Sequence, residues 1–341
     1  MSALLVEAHL ELVLARIADR SARVGVLYGG MSSERGVSIK SGKAVLGALL
    51  ERGWSAVGID VGPDLPDRLR AEGVDVAWIA LHGQFGEDGC VQGLLELMRV
   101  PYTGSGVRAS AVAMDKVITK RALRGSGVRL VPDAVWRPGQ PLPTGLGLPL
   151  ICKTPQGGST IGIIKVESAE ALAPALASLA ELDAEVLVER FVTGEEITVA
   201  MLEGEALPVV SIRPVGAGAL FDFAAKYTEG RTEYIVPGPI SAAAAADATA
   251  QALAAWGALG LRGVARADFI IDADDQAWFL EVNTLPGMTA TSLSPMAAGA
   301  VGLSFPGLVE RVLQAATLHT RRADPERVAR PGEAIPPAAG R

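Results

Sequence analysis

The chain has 341 residues, 31 Lys and Arg against 38 Asp and Glu, a formal net charge of −7, and 49% hydrophobic residues. This length exceeds one ordinary core and predicts two or three packed domains, and the acidic balance argues against a protein built around nucleic acid. Cys90 and Cys152 show neither metal-ligand spacing nor a disulfide framework, which is typical of a reducing cytosol.

The first 22 residues predict an amphipathic leader helix. Their charges are acidic before they are basic, which is not the order found in a secretory signal peptide. No apolar run approaches the length that spans a membrane. We therefore expect a soluble, cytoplasmic protein with no membrane partner.

Residues 23–105 alternate between strand and helix patterns. Strands are predicted over 23–28, 54–61, 74–81 and 100–104, and helices over 37–52, 67–72 and 89–99. This alternation predicts a doubly wound parallel sheet, with ligands at the carboxyl ends of its strands. Glu34 and His82 follow such strand ends. Glu34 could orient an ammonium group or simply be favoured by a helix N-terminus, and a lone histidine there is more often structural than catalytic.

Residues 106–190 carry a second set of polar candidates. One helix is predicted over 114–124, with Lys116 near its start, and strands over 150–153, 161–166 and 186–190. The loop 156–162 is rich in glycine and suits phosphate oxygens, although a flexible turn is an equal alternative. Lys153 ends an apolar strand, where an unpaired cation is costly, so we expect an anionic partner. Glu189 also ends an apolar strand and suits adenine and ribose, or faces solvent.

From Glu195 onward the pattern is antiparallel, so the fold class is α/β in front and α+β behind. Ser241 is expected to cap an alanine-rich helix that reaches about Gly257. Residues 321–341, rich in Pro, Ala and charge, predict a loose, disordered tail.

The segments 266–272 and 278–283 predict a hairpin with acids on one face. If Ile271 faces Trp278, Asp268 lies opposite Glu281, and Arg266 lies opposite Asn283. Facing carboxylates repel at a Cβ separation of ~5 Å, so a sheet would not choose them for stability. Oxygen ligands of this kind favour Mg²⁺ or Mn²⁺ completed by substrate phosphates. The alternative is a solvated hairpin whose acids face water.

Taken together, these segments resemble the D-alanine–D-alanine ligases of the ATP-grasp superfamily, from about residue 23 to residue 315. The anchors are 29–35 (GGMSSER), 81–89 (LHGQFGEDG), 102–106 (YTGSG), 114–116 (MDK), Lys153 with 158–160 (GST), 225–227 (AKY), 266–268 (RAD) and 281–288 (EVNTLPGM).

The resemblance implies a Rossmann-like N-terminal substrate domain (23–105), an ATP-grasp small lobe (106–190) and a large lobe with the metal site (191–320). It implies an acyl-phosphate route from two D-alanines and ATP to D-alanyl-D-alanine, ADP and phosphate, for peptidoglycan precursor synthesis, in a homodimer. The implied ATP contacts are Lys116, Lys153, Glu189, Phe191, Val192, Glu196 and Lys226, and two Mg²⁺ (or Mn²⁺) ions would bind Asp268, Glu281 and Asn283. The implied catalytic residues are Glu34, Ser159, Tyr227 and Arg266, with His82, Gly287, Ser292 and Leu293 around the substrates.

Three positions depart from the family pattern: Gly36, the pair Gln156-Gly157, and Ala224. They remove side chains near loops, which bears on loop closure and KM rather than on reaction type. The resemblance leaves two alternatives, a ligase with D-lactate or D-serine as acceptor and a nucleotide-binding homologue without catalysis. Tyr227 favours an amine acceptor, because related depsipeptide-forming ligases tend to carry Phe at this place.

Overall fold

The computed structural model of the chain describes residues 3–157, 162–214 and 232–319. A helix, α1 (Ala3–Ala18), precedes the front sheet, which contains β1 (Arg23–Tyr28), β2 (Ser55–Asp60) and β3 (Val76–Ile79) in the parallel order β2–β1–β3. The front helices are α2 (Arg35–Glu51), α3 (Leu65–Ala71) and α4 (Cys90–Met98). The predicted alternation and parallel pairing are confirmed.

The strand predicted over 100–104 was wrong as an extended element. Tyr102 makes only an isolated parallel bridge to Ala77 and an antiparallel bridge to Thr317. Pro101 has no N–H to donate, and Gly104 turns the chain with φ +87°. The segment therefore pairs at one residue and then leaves the sheet.

The helix predicted over 114–124 is confirmed as α6 (Lys116–Leu123), and a separate helix that was not predicted, α5 (Val107–Met114), precedes it. Asp115 between them is extended, with φ −107° and ψ 111°, and its side chain accepts a hydrogen bond from Ile118 N. This is an N-cap, which starts a new helix. The interruption lets Lys116 N donate to Pro155 O at 3.0 Å.

The middle sheet is antiparallel, in the order β4–β7–β5–β6. Its strands are β4 (Asp133–Trp136), β5 (Leu150–Lys153), β6 (Ile163–Val166) and β7 (Val186–Arg190), and α7 (Ala169–Ala180) covers it. Apolar residues of α7 and the strands form a separate small core around Cys152, Leu176 and Val188.

The large sheet is antiparallel, in the order β11–β10–β8–β12–β13, with β9 paired to β8. Its strands are β8 (Glu195–Leu202), β9 (Glu205–Ala206), β10 (Val210–Pro214), β11 (Thr232–Ile235), β12 (Val264–Ile271) and β13 (Ala277–Asn283). The alanine-rich helix α8 (Ala242–Leu259) packs on it, and Ser241 Oγ accepts from Ala244 N at 3.0 Å. The predicted cap and the α+β character behind the front sheet are therefore confirmed.

Two short helices, α9 (Leu293–Ala300) and α10 (Phe305–Gln314), return the chain to the front sheet. There the carboxylate of Glu310, 4% exposed, accepts from Trp54 Nε1 at 3.1 Å and from Arg20 Nη2 at 2.7 Å, and also pairs with Arg52. We call these four residues the Glu310 cluster. They join α10 to the turn after α1 and to the segment between α2 and β2.

Within the described helices, none alone is long and apolar enough to cross a membrane. The pair α9 and α10, bent by 103°, meets the length and composition criteria only when taken together.

Candidate active site

The hairpin of β12 and β13 places its acids on one face. Asp268 pairs with Glu281 and Arg266 pairs with Asn283, as predicted. The assumption that Ile271 faces Trp278 was wrong, since Ile270 does.

A β-bulge reconciles these two findings. The register shifts between Asp268 and Phe269, which pairs with Phe279, so that Leu280 is the additional residue. Beyond the bulge Phe269 and Phe279 meet edge to face, with ring centroids 5.7 Å apart, in the core.

Asp268 is buried and is held by two neighbours. Its Oδ1 and Oδ2 accept from Arg266 Nε and Nη2, each at 2.8 Å, and Thr198 Oγ1 donates to Oδ1 at 2.6 Å. Thr198 lies directly opposite Asp268 on the neighbouring strand β8. Burial alone would lower the pKa of Arg266, but the charges of Asp268 and Glu281 hold that pKa above its ordinary value. Arg266 is therefore a fixed cation beside the acid pair.

Lys116 reaches the same acids from the first residue of α6. Its Nζ lies 3.2 Å from Glu281 Oε2 and donates to Gly157 O at 2.7 Å. These groups line an open cleft of about 440 Å³, together with Glu34, Glu87 and Asn283. The cleft therefore combines the Lys116 ammonium with the acidic side chains of Glu34, Glu87 and Glu281, at the junction of the front and large sheets.

The oxygen donors on this face fit a divalent cation. Among the described residues, no group of three or more His, Cys, Asp or Glu is placed to hold a metal, and the expected set consists of two acids and one amide. Mg²⁺ usually keeps several waters and binds one or two carboxylates plus phosphates, so Asp268, Glu281 and Asn283 are a sufficient protein contribution. In the structure Arg266 and Lys116 compensate the charges of the two carboxylates.

Lys153 has the anionic partner that its burial requires, and that partner is Glu189. Lys153 Nζ lies 2.6 Å from Glu189 Oε2, and Lys120 pairs with the other oxygen. Burial alone would raise the pKa of Glu189, but the ammonium groups of Lys153 and Lys120 outweigh it and hold the pKa below its usual value. Glu189 is 3% exposed, so the alternative of a strand-end acid facing solvent was wrong.

The remaining expected nucleotide contacts follow Glu189 along the chain. The ring of Phe191 carries Lys165 Nζ over its face, 4.6 Å from the centroid, and Phe191 N donates to Pro149 O at 3.0 Å. Val192 is half-buried, and Glu196 pairs with Ile270 in the ladder of β8 and β12. This segment connects the middle sheet to the large sheet.

His82 and Glu87 lie at the end of β3, where the front sheet meets the cleft. His82 Nε2 contacts Ser41 Oγ at 3.1 Å, and burial lowers the pKa of this histidine from 6.5 to about 4. Gly83 N donates to Glu87 Oε2 at 2.6 Å, yet burial raises the pKa of Glu87 from 4.5 to about 8. Glu34 occupies the N-cap position of α2 nearby without a side-chain capping hydrogen bond, and a Cβ at Gly83 would lie 2.9 Å from Glu34 Oε2. Because burial lowers its pKa to about 4, His82 is uncharged at neutral pH.

The loop after β13 brings the last candidates to this corner. Ser292 is the N-cap residue of α9, and its Oγ hydrogen-bonds to Thr289 Oγ1 at 2.8 Å. A Cβ at Gly287 would lie 3.1 Å from Ser292 Oγ. Leu293 begins α9. Met288 N donates to Ser41 Oγ at 3.2 Å. Ser41 thus links this loop to His82 in the front sheet.

Ser159, Lys226 and Tyr227 lie outside the described residues. Three described residues of the site were not singled out from the sequence: Glu87, Lys120 and Thr198. Lys120 had a usable signal, since it is four residues after Lys116 and shares its helix face. Glu87 and Thr198 had none, because a strand-following acid and a strand threonine are ordinary surface residues by pattern.

Comparison with known proteins gives one consistent family. The family model described as D-ala D-ala ligase C-terminus matches residues 139–314, and the D-ala D-ala ligase N-terminus matches residues 62–105. A D-alanine–D-alanine ligase from Anaeromyxobacter sp. (strain Fw109-5) is 48% identical over 301 residues, which cover 87% of this chain and 97% of the relative. One from Citrifermentans bemidjiense is 46% identical over 299 residues, covering 88% and 97%.

A solved structure shows the same relationship in three dimensions. The D-alanine–D-alanine ligase from Bacillus anthracis complexed with ATP superposes with a TM-score of 0.76 and 34% identity, covering 86% of this chain and 97% of that one. The predicted architecture, a front α/β domain followed by an ATP-grasp fold, is thereby confirmed. Family models, relatives and fold agree, and the chain belongs to the D-alanine–D-alanine ligase family.

Proposed function

We propose that this ligase uses ATP to join two molecules of D-alanine, giving D-alanyl-D-alanine, ADP and phosphate for peptidoglycan precursor synthesis. One observation carries the proposal. The carboxylates of Asp268 and Glu281 face each other across the hairpin, with Arg266 paired to the first and Lys116 to the second. Glu281 and Lys116 line a cleft together with Glu34. Phosphoryl transfer requires mainly positioning and neutralisation of charge, which this arrangement supplies.

We propose that ATP binds this chain, as the similar Bacillus anthracis ligase complexed with ATP supports, and that it lies between the middle and large sheets. Lys116, Lys153 and Lys226 would contact the phosphates, and Phe191, Val192 and Glu196 the adenine and ribose. For Glu189 we propose a role other than the contact with adenine and ribose that was expected from the sequence. Both of its oxygens are engaged by lysines, so it serves the nucleotide first as the counter-ion of Lys153.

Asp268, Glu281 and Asn283 would hold Mg²⁺ or Mn²⁺, which when bound neutralises charge on the transferring phosphoryl group. Binding there requires the two carboxylates to share their charge among the ion, Arg266 and Lys116. Thr198 keeps Asp268 oriented during that exchange, because it donates to Oδ1 from the opposite strand.

The first D-alanine would bind with its ammonium at Glu34, and its carboxylate would receive the γ-phosphoryl group to give an acyl phosphate. The amine of the second D-alanine then attacks that carbonyl carbon, and the bond to phosphate breaks. Arg266 lies beside the acid face and suits the negative oxygen of the tetrahedral intermediate. His82, uncharged at neutral pH, can hydrogen-bond without attracting a second anion.

Gly287, Ser292 and Leu293 would receive the carboxylate of the second D-alanine, because the N-cap of α9 presents a hydroxyl and helix N–H groups at that corner. We assign Ser159 and Tyr227 to the corner that holds the first substrate. We further propose domain divisions after residues 22, 105, 190 and 320, a homodimer formed through the front domain, and a cytoplasmic site of action.

The decisive experiment measures phosphate release across a panel of D-amino and D-hydroxy acids, with wild type, Glu281→Gln and the exposed control Glu181→Gln. Release should require ATP, Mg²⁺ and D-alanine together and should yield the dipeptide. Glu281→Gln should lose about a hundredfold or more, because a charged ligand for the cation is gone. Equal release with L-alanine, or full activity of Glu281→Gln, would refute the assignment. A product formed from D-lactate or D-serine in preference would identify the alternative acceptor.

A further inference from the structure

Lys120 is a buried cation that the mechanism above does not use. Its side chain is 2% exposed, in the middle of α6. All three ammonium protons have acceptors, namely Val131 O at 2.7 Å, Asp133 Oδ1 at 3.2 Å and Glu189 Oε1. A buried ammonium is costly unless it is fully paired in this way. Burial of the Lys120 ammonium group therefore carries a desolvation cost that these three acceptors offset.

The acids that Lys120 contacts would repel each other without it. Asp133 on β4 and Glu189 on β7 are directly opposite in the antiparallel ladder, and like charges in that relation destabilise a sheet. Lys120 bridges them with one ammonium group. It plays the part here that a divalent cation would play between Asp268 and Glu281.

The same carboxylate connects Lys120 to Lys153. Ile151 on β5 is opposite Glu189, so Lys153, two residues further, lies on the same face and diagonal to Glu189. Glu189 therefore divides its two oxygens between Lys120 and Lys153. An ammonium has three donors, and the bond from Lys153 to Glu189 uses one of them.

Lys120 also fixes the helix that begins with Lys116. The two lysines are four residues apart and share one face of α6. Lys116 extends to Glu281 in the large sheet, while Lys120 extends to Glu189 in the middle sheet. The helix thus spans the two walls between which the nucleotide is placed.

We propose that Lys120 is a positioning residue for ATP: by occupying Asp133 and one oxygen of Glu189, it leaves Lys153 only partly compensated and directed at the phosphates. The proposal rests on the proposed role of Lys153 in nucleotide binding. Without Lys120, both oxygens of Glu189 would be available to Lys153. The ammonium charge of Lys153 would then be compensated by Glu189 rather than by the phosphates of ATP. Affinity for ATP would then fall, with no direct effect on the D-alanine sites.

The test uses Lys120→Met, the double variant Lys120→Met/Asp133→Asn, and the exposed control Lys43→Met. The charges of Lys120, Lys153, Asp133 and Glu189 sum to zero in wild type, to one excess negative charge in the single variant, and to zero again in the double variant. Arg124, 4.0 Å from Asp133 Oδ2, is exposed and is unchanged in all three proteins. The single variant should therefore lose melting temperature, and the double variant should regain most of it. If Lys120 had only a structural role, ATP binding in the double variant would recover together with its melting temperature.

Our expectation differs for the nucleotide. In the double variant the KM for ATP, and the Kd of ATP measured by calorimetry, should stay about tenfold above wild type, the effect of weakening one hydrogen bond to a charged group. The KM for D-alanine should stay within about twofold of wild type. An equal rise in the KM for ATP and the KM for D-alanine would instead indicate that the whole active site is disturbed. Lys43→Met should match wild type in every respect.

Two results would overturn the inference: a folded double variant that binds ATP as wild type does, or one whose KM values for ATP and D-alanine rise together. A double variant that fails to fold would contradict the charge balance and count equally against it. These outcomes are distinct from failure of the proposed function, which would appear as absence of D-alanine-dependent ATP turnover in wild type itself.

Discussion

Glu87 makes stability depend on pH in a direction opposite to that of most carboxylates. Burial raises its pKa from 4.5 to about 8 in the folded chain. Between these values the unfolded state has lost the proton and the folded state keeps it. The stabilising contribution is therefore complete below pH 4.5 and is lost progressively as the pH rises to about 8. Glu87→Gln removes the titration, because a carboxamide stays neutral throughout.

The magnitude follows from the two pKa values. At about 1.4 kcal/mol per pH unit, a rise from 4.5 to about 8 corresponds to at most ~5 kcal/mol. The side chain is half-buried and can relax towards water, so we expect about half of this, ~2 kcal/mol. For a chain of this length, that free energy is equivalent to about 3 °C in melting temperature.

The assay is calorimetric unfolding of wild type and Glu87→Gln at pH 5 and pH 8. The melting temperature of wild type relative to Glu87→Gln should fall by about 2 °C between the two pH values, because about three quarters of the whole change lies between them. His82, whose pKa is lowered to about 4, gives the opposite trend up to pH 6.5, but it is common to both proteins and cancels in the difference. The exposed control Glu181→Gln should show no such change. A difference that is the same at pH 5 and pH 8 would refute the reasoning.

Two further perturbations test other contacts. Thr198→Val removes the donor to Asp268 and should raise the Mg²⁺ concentration for half-maximal ADP release about tenfold; an unchanged Mg²⁺ titration would contradict the orienting role of Thr198. Glu310→Gln should lower the free energy of unfolding by ~1–2 kcal/mol at pH 7, because Arg52 loses its buried partner. Burial alone would raise the pKa of Glu310, but Arg52 and Trp54 hold it below its usual value of 4.5, so this loss should shrink as the pH falls below 4.5 and through the pKa of the folded chain. Urea midpoints that differ equally at pH 7 and pH 3.5 would exclude this explanation.

The hairpin shows why part of the site could be predicted from sequence. Asp268 and Glu281 alternate with apolar residues in a period of two, so their shared face follows from strand geometry. The pairing of Asp268 with Glu281 was correct although the starting assumption was off by one residue. The bulge at Leu280 has no reliable sequence signal, since the alternation of polar and apolar residues does not mark the additional residue.

The charged contacts show what could not be predicted. The burial of Lys153 indicated an anionic partner, but the choice of Glu189 depends on the neighbouring position of β5 and β7, which lie 33 residues apart or more in sequence. Glu87 is an ordinary acid by pattern, and only the tertiary fold removes it from water. Predictions from periodicity succeeded for most single elements, although not for the strand expected over 100–104, whereas those that required the pairing of distant elements depended on family resemblance.

The interruption at Asp115 has a mechanical consequence. Because a new helix begins there, Lys116 donates two hydrogen bonds to the segment 155–157, which leads into the glycine-rich loop. Its amide donates to Pro155 O and its ammonium group to Gly157 O. A displacement of this segment should therefore move Lys116 as well. We therefore expect Lys116 and residues 155–157 to shift together when a triphosphate binds.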